Sequence, residues 1–264
     1  MKMLNNFQMN LLKILSIMIL FFIAQPSFAG FDIKPGEELT YEVSYMGAKL
    51  GTIIISTGKL KKENGISFYD TKAEIKTYKS IPFLNINVEY NSKTDKSVSF
   101  AHQFIGNYKS NDYWDIHKIF LNYAKSNIYV SKENEYGKYF EKSYQTTKKY
   151  SDGLTIFFIA RNFLTSGKKI TFPTIVDKQL ESTEINFIGK NVDLPIKAVK
   201  YPVKTLYFNG KANWTGIYGL SGGFEGWFSN DDARVPIVAK LNLYIGAAKV
   251  ELIKWKRSGW EPPK

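Results

Sequence analysis

The stretch VPIVAKLNLYIGAAKVELIKW, residues 235–255, decides the fold class. Val235, Ile237, Ala239, Leu241, Leu243 and Ile245 fall on one side of an extended chain, and Lys240, Asn242 and Tyr244 on the other. That is the period-2 signature of a half-buried strand. Gly246-Ala247 reads as a tight turn. A two-residue loop there sets Leu243 opposite Val250 and Leu241 opposite Leu252, keeping one apolar face across both strands, and glycine at the first loop position suits a type II′ turn. An antiparallel hairpin is therefore expected at this end of the chain.

Working back from it, the same alternation recurs. Leu39, Tyr41, Val43 and Tyr45 share a face, and the run after Gly51, with three successive isoleucines, reads as the partner strand across a loop of about five residues, Gly47 to Gly51. Tyr69, Thr71, Ala73 and Ile75 alternate with Asp70, Lys72, Glu74 and Lys76. Further strands are expected near 86–90, 99–108, 117–123, 128–131, 139–147, 169–175, 184–187 and 201–208, each bounded by Asn, Ser, Lys or Gly clusters. The pattern is a long antiparallel meander. One segment breaks it: Ser151 to Leu164 opens with a capping serine, ends before Ser166-Gly167 and is apolar on most sides, as a helix buried on most sides would be. A buried strand over 154–160 is the competing reading, because short apolar runs are ambiguous by periodicity alone.

Residues 1–29 are organised differently. Lys2 and Lys13 precede the largely apolar run Ile14 to Ala24, followed by Gln25-Pro26-Ser27-Phe28-Ala29. A basic start, a short apolar core and a small-x-small site describe a secretory signal peptide cleaved near Ala29; the run is too short for a spanning helix. The chain has no cysteine, which excludes disulfides and a lipid anchor on Cys. Loss of Lys2 and Lys13 takes the formal charge from +12 to +10. An exported protein this basic is attracted to anionic envelope surfaces, or is simply kept soluble by its charge. Its lysines are dispersed rather than gathered into a nucleic-acid motif.

Catalytic motifs fail on context. Gly219-Leu220-Ser221-Gly222-Gly223 has the letters of a hydrolase nucleophile elbow, but strands follow Ser221 and the two histidines, His102 and His117, both lie upstream. Ser56-Thr57-Gly58-Lys59 has the letters of a Ser-x-x-Lys motif at a strand end, without a Lys-Thr-Gly partner, and reads as a turn. His102 alternates with Phe100 and Phe104, as a structural histidine would. Asn230-Asp231-Asp232 reads as a solvated turn, since the other positions of a calcium loop are unfilled. Arg161 stands out, because a guanidinium on a buried helix must be paired or reach water. Glu225, Asp231 or Asp232 would pair with it if residues 222–235 fold over the helix. Alternatively, Arg161 or Arg234 receives an anionic ligand group.

Read together, Gly36-Glu37-Glu38-Leu39-Thr40-Tyr41-Glu42-Val43-Ser44-Tyr45-Met46-Gly47 with Gly51, the helix ending in Arg161, and Trp227-Phe228-Ser229 to Asp231-Asp232 with Arg234, Pro236, Gly246, Glu251 and Leu252 resemble the exported bacterial domain-of-unknown-function family 3108. The resemblance covers nearly all of the chain beyond the leader. It implies an exported, single-domain, mostly antiparallel β protein with no established activity, and it carries over no catalytic residue.

The expectation is thus a mainly β protein: one curved antiparallel sheet over residues 30–264, forming an open or partly closed β-barrel, with one buried helix from about Asp152 to Leu164. The function expected is that of a non-catalytic, periplasmic or secreted envelope protein whose concave face holds a lipid-like, apolar or amphipathic ligand. The alternative is a structural or assembly protein of the envelope without a cavity. Ligand-binding candidates are Tyr41, Tyr45, Phe157, Phe158, Arg161, Trp227 and Arg234. No metal, cofactor, nucleic-acid partner or transmembrane segment beyond the leader is expected.

Overall fold

The computed structural model describes residue 31 and residues 33–81, 85–109, 114–214, 222–243 and 246–264. The leader, Gly219 to Ser221 of the elbow-like motif, and Tyr244 and Ile245 lie outside them. Among the described residues, fourteen antiparallel strands form a single sheet. The first eight are β1 (Glu38–Tyr45), β2 (Ala48–Glu63), β3 (Ile66–Thr77), β4 (Asn87–Asp95), β5 (Ala101–Lys109), β6 (Trp114–Asn122), β7 (Asn127–Asn134) and β8 (Gly137–Gln145). The helix α1 (Thr155–Phe163) follows, then β9 (Lys169–Val176), β10 (Gln179–Leu194), β11 (Val203–Ala212), β12 (Gly222–Ser229), β13 (Pro236–Asn242) and β14 (Ala247–Lys256).

Strands adjacent in sequence pair with one another except β8 and β9, and β1 also pairs with β14, from Glu38↔Lys256 to Tyr45↔Ala248. The two free edges therefore belong to β8 and β9, in mid-chain, and the barrel is open between them. The segment read alternatively as a strand is helical from Thr155 onward, and α1 lies at the end of the barrel where β8 leaves and β9 begins. The seam is bridged without a strand ladder. Near α1, Ser151 N–H donates to Pro173 O and Ser151 O accepts from Ile175 N–H, while Tyr150 O accepts from Ala101 N–H. At the far end, Lys132 Nζ binds Asp177 Oδ1, and Tyr144 Oη donates to Lys178 O.

Several local expectations change. The first hairpin turns on two residues, Met46 and Gly47, both at positive φ, as a type I′ turn requires. Gly51 is thereby inside β2 rather than in a loop. β2 also runs on through Ser56–Lys59, which is no turn, and a register shift falls between Thr57 and Leu60. In the last hairpin Leu241 faces Ala248 and Ala239 faces Val250, and Leu243 N–H donates to Gly246 O. The chain thus reverses before Gly246, whose φ of 71° puts it in the left-handed region that glycine enters freely. On β13 a bulge at Ile237, between Pro236 opposite Phe228 and Val238 opposite Trp227, interrupts the alternation read from Val235.

α1 is capped not by Ser151, which is committed to β9, but by Asp152. Asp152 Oδ1 accepts from Leu154 N–H at 2.7 Å and Thr155 N–H at 2.8 Å. Ile159, Ala160 and Leu164 pack on Phe172, Ile185, Phe187, Phe208 and Phe228, while Leu154 and Phe158 meet the core around Leu39, Ile55, Val235 and Leu252. The helix is thereby held as a stopper in one end of the barrel.

Candidate ligand cavity

Because α1 fills only one end, space remains behind it. An apolar cavity of about 620 Å³ runs between the helix and the concave face. Ile156, Phe157 and Ala160 form its floor; Ile53, Ile75, Phe104 and Leu241 are among the sheet residues on its walls. Ile75, Phe157 and Leu241 point inward yet are only half-buried, so solvent reaches them. Toward the end that carries the Met46-Gly47 turn, the border becomes polar with His117, Asp177, Trp214 and Asn242.

Two of the sequence-derived candidates meet at this cavity. Tyr41 and Phe157 stand edge to face with ring centroids 6.4 Å apart, and Tyr41 Oη donates to Pro236 O at 3.1 Å. Tyr45, half-buried at the end of β1, does not border the cavity. Phe158 is fully buried beneath Phe157. Trp227 lies on the opposite face of β12 from Phe228, tilted against Tyr207 with ring centroids 5.2 Å apart, and with Lys240 Nζ 5.4 Å from its ring centre.

Neither Arg161 nor Arg234 borders the cavity. Arg161, fully buried, donates to Glu37 Oε1 at 2.5 Å and Oε2 at 3.0 Å, and to the carbonyls of Ala233 and Arg234. Arg257 binds the same Glu37 carboxylate. Burial alone would raise the Glu37 carboxyl, but the Arg161 and Arg257 guanidiniums outweigh it and leave it below its usual range. Residues 233–234 do fold over the helix, as backbone acceptors. Asp231 is instead the hub of its own turn, accepting from Ser229 Oγ, the Ala233 and Arg234 amides and Trp260 Nε1. Arg234 donates to the carbonyls of Arg161 and Asn162 at the helix C-terminus. Both arginines thus anchor the stopper.

Sequence reasoning missed two polar groups. His117 alternates with Ile119 on the inner face of β6, which was the available signal. It stands beside Asp115 at 2.9 Å and Asp177 at 3.6 Å, and its ring is tilted against Tyr108. Burial, and then Lys132 nearby, push the imidazole below its usual range. Asp152, fully buried, accepts from Ser92 Oγ at 2.5 Å and Thr155 Oγ1 at 3.0 Å, and Thr155 Oγ1 lies 2.9 Å from Thr94 Oγ1. No cation faces it in that network, and burial raises its carboxyl despite these bonds. His102 sits beside Asp95 and Phe100, away from the cavity.

The fold and its cavity define an antiparallel open β-barrel stoppered by a single helix. Within that class the chain belongs to the DUF3108 family of proteins of unknown function, whose sequence model matches residues 40–253. Comparison with curated proteins gives no match. Among solved structures, a β-barrel-like protein of domain of unknown function DUF1849 from Brucella abortus has the same fold: TM-score 0.58 and 9% identity, covering 85% of this chain and 98% of that one. A protein with a YmcC-like fold from Bacteroides fragilis aligns at TM-score 0.37 and 8% identity, covering 86% and 99% of the two chains. Among the described residues no helix is long and apolar enough to cross a membrane.

Proposed function

We propose that this protein is a non-catalytic carrier or sensor of an apolar or amphipathic, lipid-like ligand, working in the cell envelope after removal of residues 1–29, with residues 30–264 as one domain. The observation that carries this reading is the cavity between α1 and the concave face. Its volume lies within the roughly 300–1,000 Å³ of small-molecule sites, and its lining is apolar with a few polar groups at one end. A barrel whose role was purely structural would gain stability by filling that space with side chains. The basic surface would favour residence near anionic envelope components.

Native mass spectrometry of the purified protein, followed by solvent extraction, tests the reading. A bound amphiphile that disappears in Ala239→Trp, where a large side chain enters the cavity from β13, is the expected result. Protein that neither retains a ligand nor takes up Nile red would refute it.

A further inference from the structure

Resting on that reading, we infer that the cavity selects amphiphiles whose polar end is uncharged, such as a long-chain alcohol or monoacylglycerol, over anionic ones such as a fatty-acid carboxylate. The chain carries 36 lysines and arginines, yet among the described residues none borders the cavity. The internal segments outside the described residues contain no Lys or Arg in their sequence either. Apart from the phenols of Tyr41, Tyr90 and Tyr108, the ionisable residues that border it are His117, Asp177 and Glu225. The two arginines that could have met an anion are held at the stoppered end, with Arg161 bound to Glu37.

A carboxylate head in this cavity would lose water without gaining a cation, which strongly disfavours its charged form. Lys132, the ammonium paired with the cavity-lining Asp177, is mostly buried and already neutralised by it, and the Asp177 carboxylate would itself repel an anion. A hydroxyl or ester head incurs neither cost. It could exchange hydrogen bonds with His117 or Asn242, both at the polar border.

Displacement of Nile red from the full chain at pH 8 by monopalmitoylglycerol and by palmitate, both below their aggregation thresholds, separates the outcomes. The glycerol ester is expected to displace the dye at a concentration at least about tenfold lower than palmitate. Palmitate acting equally well or better would overturn the inference and leave the cavity reading standing, whereas failure of the dye and both amphiphiles to bind would overturn the cavity reading itself. Asp177→Asn supplies the second arm. Residue 177 has a φ of 56°, which asparagine tolerates, so the turn is kept while Lys132 is released. The variant should shift the preference toward palmitate, its affinity relative to the glycerol ester rising about tenfold. An unaltered preference would refute the role assigned to the Lys132–Asp177 pair.

Discussion

Arg161 Nη1 and Glu37 Oε1 lie 2.5 Å apart across 124 positions of sequence, both buried, tying the last turn of the stopper helix to the residue that precedes β1. The planar fork takes both carboxylate oxygens and two backbone carbonyls besides, so little of its hydrogen-bonding capacity is left for a ligand.

Glu37→Ala leaves the Arg161 guanidinium buried without its counter-ion and is expected to cost about 3–5 kcal/mol in urea unfolding. The pair also sets an acid limit. Because the folded Glu37 carboxyl lies below its ordinary value of 4.5, its contribution is complete above that value and is lost as pH falls through the lowered one. Wild-type stability should fall with acid in that window, and Glu37→Ala should lack this component; parallel curves for the two proteins would contradict the assignment.

Asp152 has the opposite sign. Its carboxyl is raised above 3.8 in the folded state, so its stabilising contribution is present below that value and lost as pH rises through the raised one. Asp152→Asn can keep the acceptor for the Leu154 and Thr155 amides without acquiring charge. The variant should gain stability relative to wild type as pH climbs from 4 to 8. A gap that does not change with pH would remove the claim.

Gly51→Ala puts a Cβ 2.1 Å from Lys76 O and 2.8 Å from the Thr77 Cα, backbone atoms of the paired strand that cannot swing aside. An overpacking cost of about 1–3 kcal/mol is expected, read as a lowered thermal midpoint. Gly226→Ala makes a useful comparison, since the contact there is with the Phe208 ring, which can move in part.

The two faces of β12 and β13 should separate in their effects. Trp227→Ala removes a ring packed against Tyr207 on the outer face and is expected to destabilise by about 3–5 kcal/mol while leaving Nile red affinity within about twofold. Ala239→Trp should abolish dye binding with a smaller change in stability. A loss of binding in the folded Trp227 variant would place that side of the sheet in the site after all.

Strand order, the meander and the helix were legible because burial on one side of a sheet writes itself into period-2 alternation, and 154–164 departs from it. Register was less legible. The observed last hairpin differs from the expected one by a slip that keeps Leu241 on the same face, and alternation is blind to such a slip. The bulge at Ile237 likewise adds a residue without any change in apolar character. Of the candidates, Tyr41 and Phe157 border the cavity and Trp227 does not; Gly226 leaves no side chain to mark the inner side of β12. The partner of Arg161 was sought within residues 222–235, and no local pattern points to a carboxylate as distant as Glu37.

The ladder joining β1 to β14 has a consequence for how the molecule comes into being. Every other strand pairing is between neighbours in sequence and can form as the chain emerges, but β1 waits for the last strand to be synthesised and meanwhile exposes an unpaired edge. Conversely, β8 and β9 share no ladder, so a break between Gln145 and Lys149 severs no strand pairing. The molecule is in this sense two half-meanders that recognise one another through β1 and β14. Two co-expressed fragments divided there are expected to reassemble into a barrel that still binds Nile red, and fragments that stay apart would show that covalent continuity through the 146–154 segment is required.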